Sequence, residues 1–108
     1  MERLPTTRNG KSMKSAVKFE NILKDHLADA DPAAKYLTAC YEEGPEIFLQ
    51  GLRDVVEAQG GMARVARLAG LNRESLYRQL SRRGNPSLAS LNAVLTALRL
   101  KLRFAPGA

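Results

Sequence analysis

The chain has 108 residues, one cysteine, one histidine and a formal net charge of +6 at pH 7. This length suits one domain with a modest hydrophobic core. A single cysteine excludes an internal disulfide, and a single histidine leaves no cluster with metal-ligand spacing. The sequence contains no signal-peptide pattern and no apolar run of roughly 18 residues, so we expect a cytoplasmic protein that does not bind membranes.

The charge is distributed unevenly along the chain. Residues 1–18 carry a net charge of +4, residues 19–60 carry −6, and residues 61–108 carry +8. Such segregation indicates two surfaces for two partners, and the basic half is a candidate footprint for nucleic acid.

The first 17 residues have little apolar content, and we predict that they form a disordered basic tail. Residues 18–108 are predicted to form a single helical DNA-binding domain, within which residues 18–60 form acidic helices. Their helical apolar periodicity begins with Phe19, Ile22, Leu23 and Leu27.

A second helix is predicted to begin at Asp31 as the cap with Pro32 in the first position, and Gly44–Pro45 to separate it from a third. The bulky side chains of this region are predicted to lie in the core, with Cys40 a small buried residue rather than a nucleophile. They include Tyr36, Tyr41 and Phe48.

Residues 61–99 are predicted to hold a helix-turn-helix unit. A helix over Met62–Ala69 is followed by Gly70, which can adopt the positive φ of a sharp turn, and Asn72 is a suitable cap for a helix through about Leu80. The small Ala66 permits close helix packing, and the apolar side chains that anchor the turn and second helix are Leu71, Leu76 and Leu80.

The second helix of this unit is predicted to enter the major groove of double-stranded DNA. Its base-reading residues are predicted to be Arg73, Glu74, Tyr77 and Arg78. The predicted phosphate contacts are Arg64, Arg67, Asn72, Ser75, Arg82, Arg83 and Ser87. The main-chain amides at the start of the last helix, near Ser87, are also candidates.

Ser87 is predicted to cap the last helix, whose core-facing residues are Leu88, Leu91, Val94, Leu95 and Leu98. Residues 100–105 alternate apolar and basic side chains, which predicts a short β-strand. A lone strand is unstable, so we expect it to pair with a second copy or a partner. The sequence thus predicts a compact all-α helical bundle with a short C-terminal β-strand.

No Gly-rich phosphate loop, nucleophile–base pair or carboxylate dyad is evident in the sequence. We therefore expect neither an enzyme nor a cofactor-binding or metal-binding protein.

From about Phe19 to Pro106 the chain resembles the addiction-module antidote family, lambda-repressor-like helix-turn-helix proteins that serve as antitoxins. The most specific matches are "YL…A…EEG", "GM…VAR.AGL.RESLYR.LS..GNP" and "L.AL.L.L...P". The resemblance implies the antitoxin of a type II module, which binds a RelE/ParE-like toxin and represses its own operon. It also implies that the four base-reading residues contact DNA. The helices around Leu23–Glu43 are implied to bind the toxin.

The helix-turn-helix pattern and the resemblance together predict a homodimer on operator DNA, because a dimer of such units reads two half-sites. Two other interpretations stay open at this stage. One is a stand-alone, phage-like helix-turn-helix regulator without a toxin, and the other is a protein-interaction domain that has lost DNA binding.

Overall fold

The computed structural model describes residues 22–107, which form six helices and contain no strand. The first, α1, covers residues 22–27 of the described chain. The others are α2 (Ala30–Glu43), α3 (Pro45–Ala58), α4 (Met62–Ala69), α5 (Arg73–Gln79) and α6 (Leu88–Ala97). The all-helical prediction is confirmed, and the predicted tail at residues 1–17 and Phe19 lie outside the described residues.

Two groups of helices share one hydrophobic core. Helix α2 packs mainly against α3, whereas α4 packs against both α5 and α6 and also contacts α3. Apolar side chains from all six helices meet in this core, where their removal from water stabilises the fold. The largest fully buried ones are Leu27, Leu52, Val55, Val56, Val65, Leu76, Leu80, Val94 and Leu98.

Helices α2 and α3 approach closely where Gly51 faces Cys40. A Cβ atom added at Gly51 would lie 2.6 Å from the Cys40 Sγ atom and 3.4 Å from Leu37 Cδ2. Cys40 is buried, as predicted, and burial raises the pKa of its thiol. The sulfur therefore acts as a packing atom, and the absence of a side chain at residue 51 makes room for it.

Three predictions about α2 and α6 are wrong. Helix α2 begins at Ala30 after Asp29, so Asp31 is not the cap and instead lies in the first turn. A carboxylate is favourable there because of the helix dipole. Tyr41 and Leu88, predicted to be core residues, are exposed because each lies beyond the buried face of its helix, and Ile22, part of the predicted periodicity of α1, is exposed too.

The predicted C-terminal strand at residues 100–105 is also wrong for this chain. Arg99 adopts a left-handed conformation with φ 65°, and the Leu100 N–H donates to the Leu95 carbonyl at 2.7 Å, which ends α6 in a Schellman-type turn. Leu100 packs against the core, but Phe104 is 92% exposed. With no strand beside it in the described residues, this segment has no ladder of hydrogen bonds to join.

The Gly51–Cys40 contact predicts that Gly51→Ala destabilises the protein by about 1–3 kcal/mol, because overpacking outweighs the ~1 kcal/mol that alanine normally gains over glycine in a helix. Urea unfolding measures this change. Adding Cys40→Ala removes the opposing sulfur. The double variant should therefore lose less free energy of unfolding than the two single variants lose in sum. Simple additivity of the two substitutions would contradict the proposed contact.

Candidate nucleic-acid interface

Helices α4 and α5 are joined by a three-residue turn with a defined hydrogen-bond pattern. Gly70 has φ 70° and ψ 30°, the left-handed conformation that glycine adopts without strain. The Leu71 N–H donates to the Ala66 carbonyl at 2.9 Å, and the Gly70 N–H donates to the Arg67 carbonyl at 3.2 Å. This is a Schellman motif, and it confirms the predicted end of α4.

The start of α5 is fixed by its cap. The Asn72 Oδ1 atom accepts a hydrogen bond of 3.0 Å from the Ser75 backbone N–H. This bond satisfies one of the amides that a helix leaves unpaired at its N-terminus, and it confirms the prediction for Asn72. Leu76 and Leu80 are fully buried, so they hold one side of α5 against the core.

The other side of α5 is exposed. Tyr77 has 66% of its surface exposed, and the charged side chains beside it are exposed too. The structure thus brings together on one side of one helix the four residues predicted to read bases, which are Arg73, Glu74, Tyr77 and Arg78. They combine two guanidinium donors, a carboxylate acceptor and an aromatic ring.

The predicted phosphate-contacting arginines precede and follow this helix in the chain. Arg67 on α4 is exposed, as are Arg82 and Arg83 in the loop after α5. Arg64 folds back, and its Nε donates to the Gln59 carbonyl at 3.2 Å. The Arg82 Nε atom lies 3.7 Å from the Glu46 carboxylate, an exposed pair of small energetic value.

The predicted polar phosphate contacts have a local role in this structure. Ser87 Oγ accepts from the Ser90 N–H at 3.0 Å, which confirms the prediction that Ser87 caps α6. Ser75 Oγ accepts from Gln79 Nε2 at 3.0 Å, within α5. Gln79 Oε1 is buried and has no hydrogen-bond partner among the described residues, while Leu80 fills the core position beside it, as expected.

One positioning residue is not apparent from the sequence. Arg53 on α3 donates from one guanidinium nitrogen to the Leu80 carbonyl, at the end of α5. Its other terminal nitrogen donates to Gln50 Oε1 at 2.7 Å. Gln50 Nε2 in turn donates to Asp54 Oδ1 at 3.1 Å, and Tyr36 donates to Asp54 Oδ2 at 2.6 Å.

This hydrogen-bonded chain runs from α2 through α3 to the carboxyl end of α5. Burial, with the bond to Asp54, raises the pKa of Tyr36, so its hydroxyl remains a hydrogen-bond donor over a wider pH range than that of a free tyrosine. A guanidinium at the carboxyl end of a helix interacts favourably with the negative end of the helix dipole. It also donates a hydrogen bond to a carbonyl that has no partner within the helix.

Gly84 is a second position whose importance the sequence does not indicate. A Cβ atom there would overlap the carbonyl oxygen of Gln79, and it would also lie 3.0 Å from the Arg78 carbonyl oxygen. The loop after α5 therefore folds directly over the end of that helix, and only a glycine fits without a shift of the backbone.

We predict that Arg53→Met destabilises the protein by about 1–3 kcal/mol, because it leaves the carbonyl of Leu80 without its partner. The same substitution at an exposed arginine, Arg83→Met, should stay within about 0.5 kcal/mol of the wild type. Urea unfolding of both variants makes the comparison. Equal stabilities for the two variants would show that Arg53 does not position α5.

Within residues 22–107 no group of His, Cys, Asp or Glu side chains could hold a metal ion. Nor is any helix in this part of the chain long and apolar enough to cross a membrane.

Comparison with known proteins identifies one family. A family model described as "probable addiction module antidote protein" matches residues 16–106. A Haemophilus influenzae protein, described as an uncharacterized protein, is 36% identical over 80 residues, which cover 73% of this chain and 81% of that relative. No solved structure matches the chain.

Proposed function

Because the chain belongs to the family of probable addiction module antidote proteins, we propose that it is the antitoxin of a type II toxin–antitoxin module. It neutralises a RelE/ParE-like toxin by direct binding, and it represses its own operon by binding operator DNA. In this proposal α4 and α5 form a lambda-repressor-like helix-turn-helix, with α5 as the recognition helix.

The exposed side of α5 is the observation that carries the DNA-binding part of the proposal. Arg73 and Arg78 can each donate a bidentate pair of hydrogen bonds to guanine O6 and N7 in the major groove. Glu74 can accept from cytosine N4, and Tyr77 can contact a thymine methyl group or a phosphate. All four side chains are exposed on a helix whose opposite side is buried.

The surrounding arginines fit a sequence-independent role. Exposed guanidinium groups precede α5 at Arg67 and follow it at Arg82 and Arg83, and they can bind backbone phosphates. Arg64 keeps its terminal nitrogens for such a contact while its Nε binds the Gln59 carbonyl. Asn72 and Ser87 can add hydrogen bonds beyond those that they make as caps, and Ser75 can add one beyond the bond that it accepts from Gln79. Binding to phosphates compensates the mutual repulsion of these arginines.

A homodimer is part of the same proposal. Helix-turn-helix proteins read two half-sites about 34 Å apart, and a twofold pair of recognition helices matches a palindromic operator. Binding of both half-sites also raises affinity through effective concentration.

We expect Arg78→Ala to weaken binding to the DNA upstream of this protein's own gene by about 5- to 150-fold, the equivalent of one bidentate base contact at ~1–3 kcal/mol. It should also relax the base preference at one position of each half-site. Fluorescence anisotropy with operator duplexes of varied sequence measures both effects.

The matched control is Arg83→Ala, which should weaken binding to all sequences about equally and reduce the slope of log K against log salt by about 1. If Arg78→Ala left affinity and base preference at wild-type values, α5 would not be the recognition helix.

The antitoxin part is tested by co-expression with the product of the adjacent open reading frame. We expect the product alone to arrest growth, and the full chain to restore growth and to co-purify with it. A product that neither arrests growth nor binds the chain would contradict the antitoxin function, and intact operator binding would then indicate a stand-alone regulator.

A further inference from the structure

The corner between α2 and α3 exposes apolar side chains that the fold does not use. Tyr41 is 68% exposed and Ile47 is 46% exposed, at the end of one helix and the start of the next. Exposed glutamates lie between and beside them in the sequence. We refer to this set as the corner surface, and it consists of Tyr41, Glu42, Glu43, Glu46, Ile47 and Phe48.

The aromatic ring at the centre of the corner surface is held in place. The rings of Tyr41 and Phe48 pack edge to face, with their centroids 5.6 Å apart and their planes at 86°. Phe48 is itself partly buried against the hydrophobic core. Tyr41 therefore presents a large ring with part of its ordering cost already met, which is typical of an interface anchor.

Two glutamates of the corner surface lie where the dipole of their helix disfavours a negative charge. Glu42 and Glu43 are the last two residues of α2, and the last turn of that helix contains no basic residue. The carboxyl end of a helix carries partial negative charge, so these carboxylates are unfavourable in the free chain. A cationic surface bound over the corner would compensate both the carboxylates and the helix end.

The charges also select the kind of partner. Nucleic acid is disfavoured because Glu42 and Glu43 would face phosphates, whereas Glu46 lies 3.7 Å from Arg82. A second copy joined by a twofold axis is disfavoured too, because an isologous contact would place the same glutamates against one another. A different protein, with a basic and partly apolar surface, is the occupant whose charge is complementary.

We propose that the corner surface is the toxin-docking site, with Tyr41 and Ile47 as the central contacts and the glutamates as a rim that attracts a basic toxin. This inference rests on the proposed antitoxin function. Within the helices around Leu23–Glu43, which the resemblance implies, it narrows the contact to the end of α2, and it extends the contact to the first turn of α3.

The test uses the full chain and the purified product of the adjacent open reading frame. We expect Tyr41→Ala to weaken this complex by about 30-fold or more, as truncation of a central aromatic anchor does. The pair Glu42→Gln/Glu43→Gln should slow association and reduce its dependence on salt. Because neither variant changes α5 or the arginines near it, operator binding should match the wild type. The thermal midpoint should rise slightly for the glutamate pair, which opposes the dipole of α2, and fall slightly for Tyr41→Ala, which loses its packing on Phe48.

The other exposed tyrosine supplies the matched control. Tyr77→Ala should weaken operator binding and leave the affinity for the toxin within about twofold of wild type. Calorimetry or surface plasmon resonance measures the toxin affinity, and fluorescence anisotropy measures operator binding.

The outcomes separate the two levels of inference. If the wild-type chain binds the toxin but Tyr41→Ala and the glutamate variant bind equally well, the corner surface is not the docking site and the antitoxin function stands. If the wild-type chain binds no toxin, both fail. If Tyr41→Ala instead dissociates a homodimer in sedimentation experiments, the corner joins two copies and the docking proposal is overturned.

Discussion

Helix α5 has seven residues, which is too short for a helix to be stable in water by itself. Its position therefore depends on contacts from the rest of the fold. Leu76 and Leu80 bury one side, Asn72 closes the amino end, and Arg53 holds the carboxyl end from another helix. These supports together hold the exposed side chains of α5 in position. Loss of the Asn72 cap or of the Arg53 bond would therefore displace those side chains even though it does not change them.

The separation of charge gives the domain two different surfaces at some cost to the free protein. Residues 61–108 hold nine basic residues and one acid, whereas residues 19–60 hold nine acids and three basic residues. Few of these charges pair with each other in the described structure, where Arg82 and Glu46 form one exposed contact. A ligand that binds only the folded state adds stability by mass action. Partners of opposite charge on the two surfaces would therefore stabilise the protein as well as bind it.

What the sequence predicts well here is determined by neighbouring residues. The bounds of α4, the turn at Gly70 and the caps at Asn72 and Ser87 follow from interactions within a few positions. The bond from Arg53 to the Leu80 carbonyl joins residues 27 apart, and no local pattern indicates it. The C-terminal alternation is a local pattern too, but a strand also needs a neighbour. Burial also depends on what packs against a helix. The periodicity of α2 could therefore place Cys40 in the core, but it could not show that no other element covers Tyr41.

The two tyrosines with exposed rings lie in opposite electrostatic surroundings. Tyr41 follows the buried face of α2 and is next to glutamates, whereas Tyr77 stands among the arginines of α5. An aromatic ring offers a large contact area with only two rotatable bonds, and this property suits a protein surface and a DNA groove equally. The ring therefore contributes affinity without choosing the partner, and the charges around it determine which partner is attracted. Because both surfaces depend on charge, salt should weaken the encounter with either partner, although the apolar contacts would persist once formed.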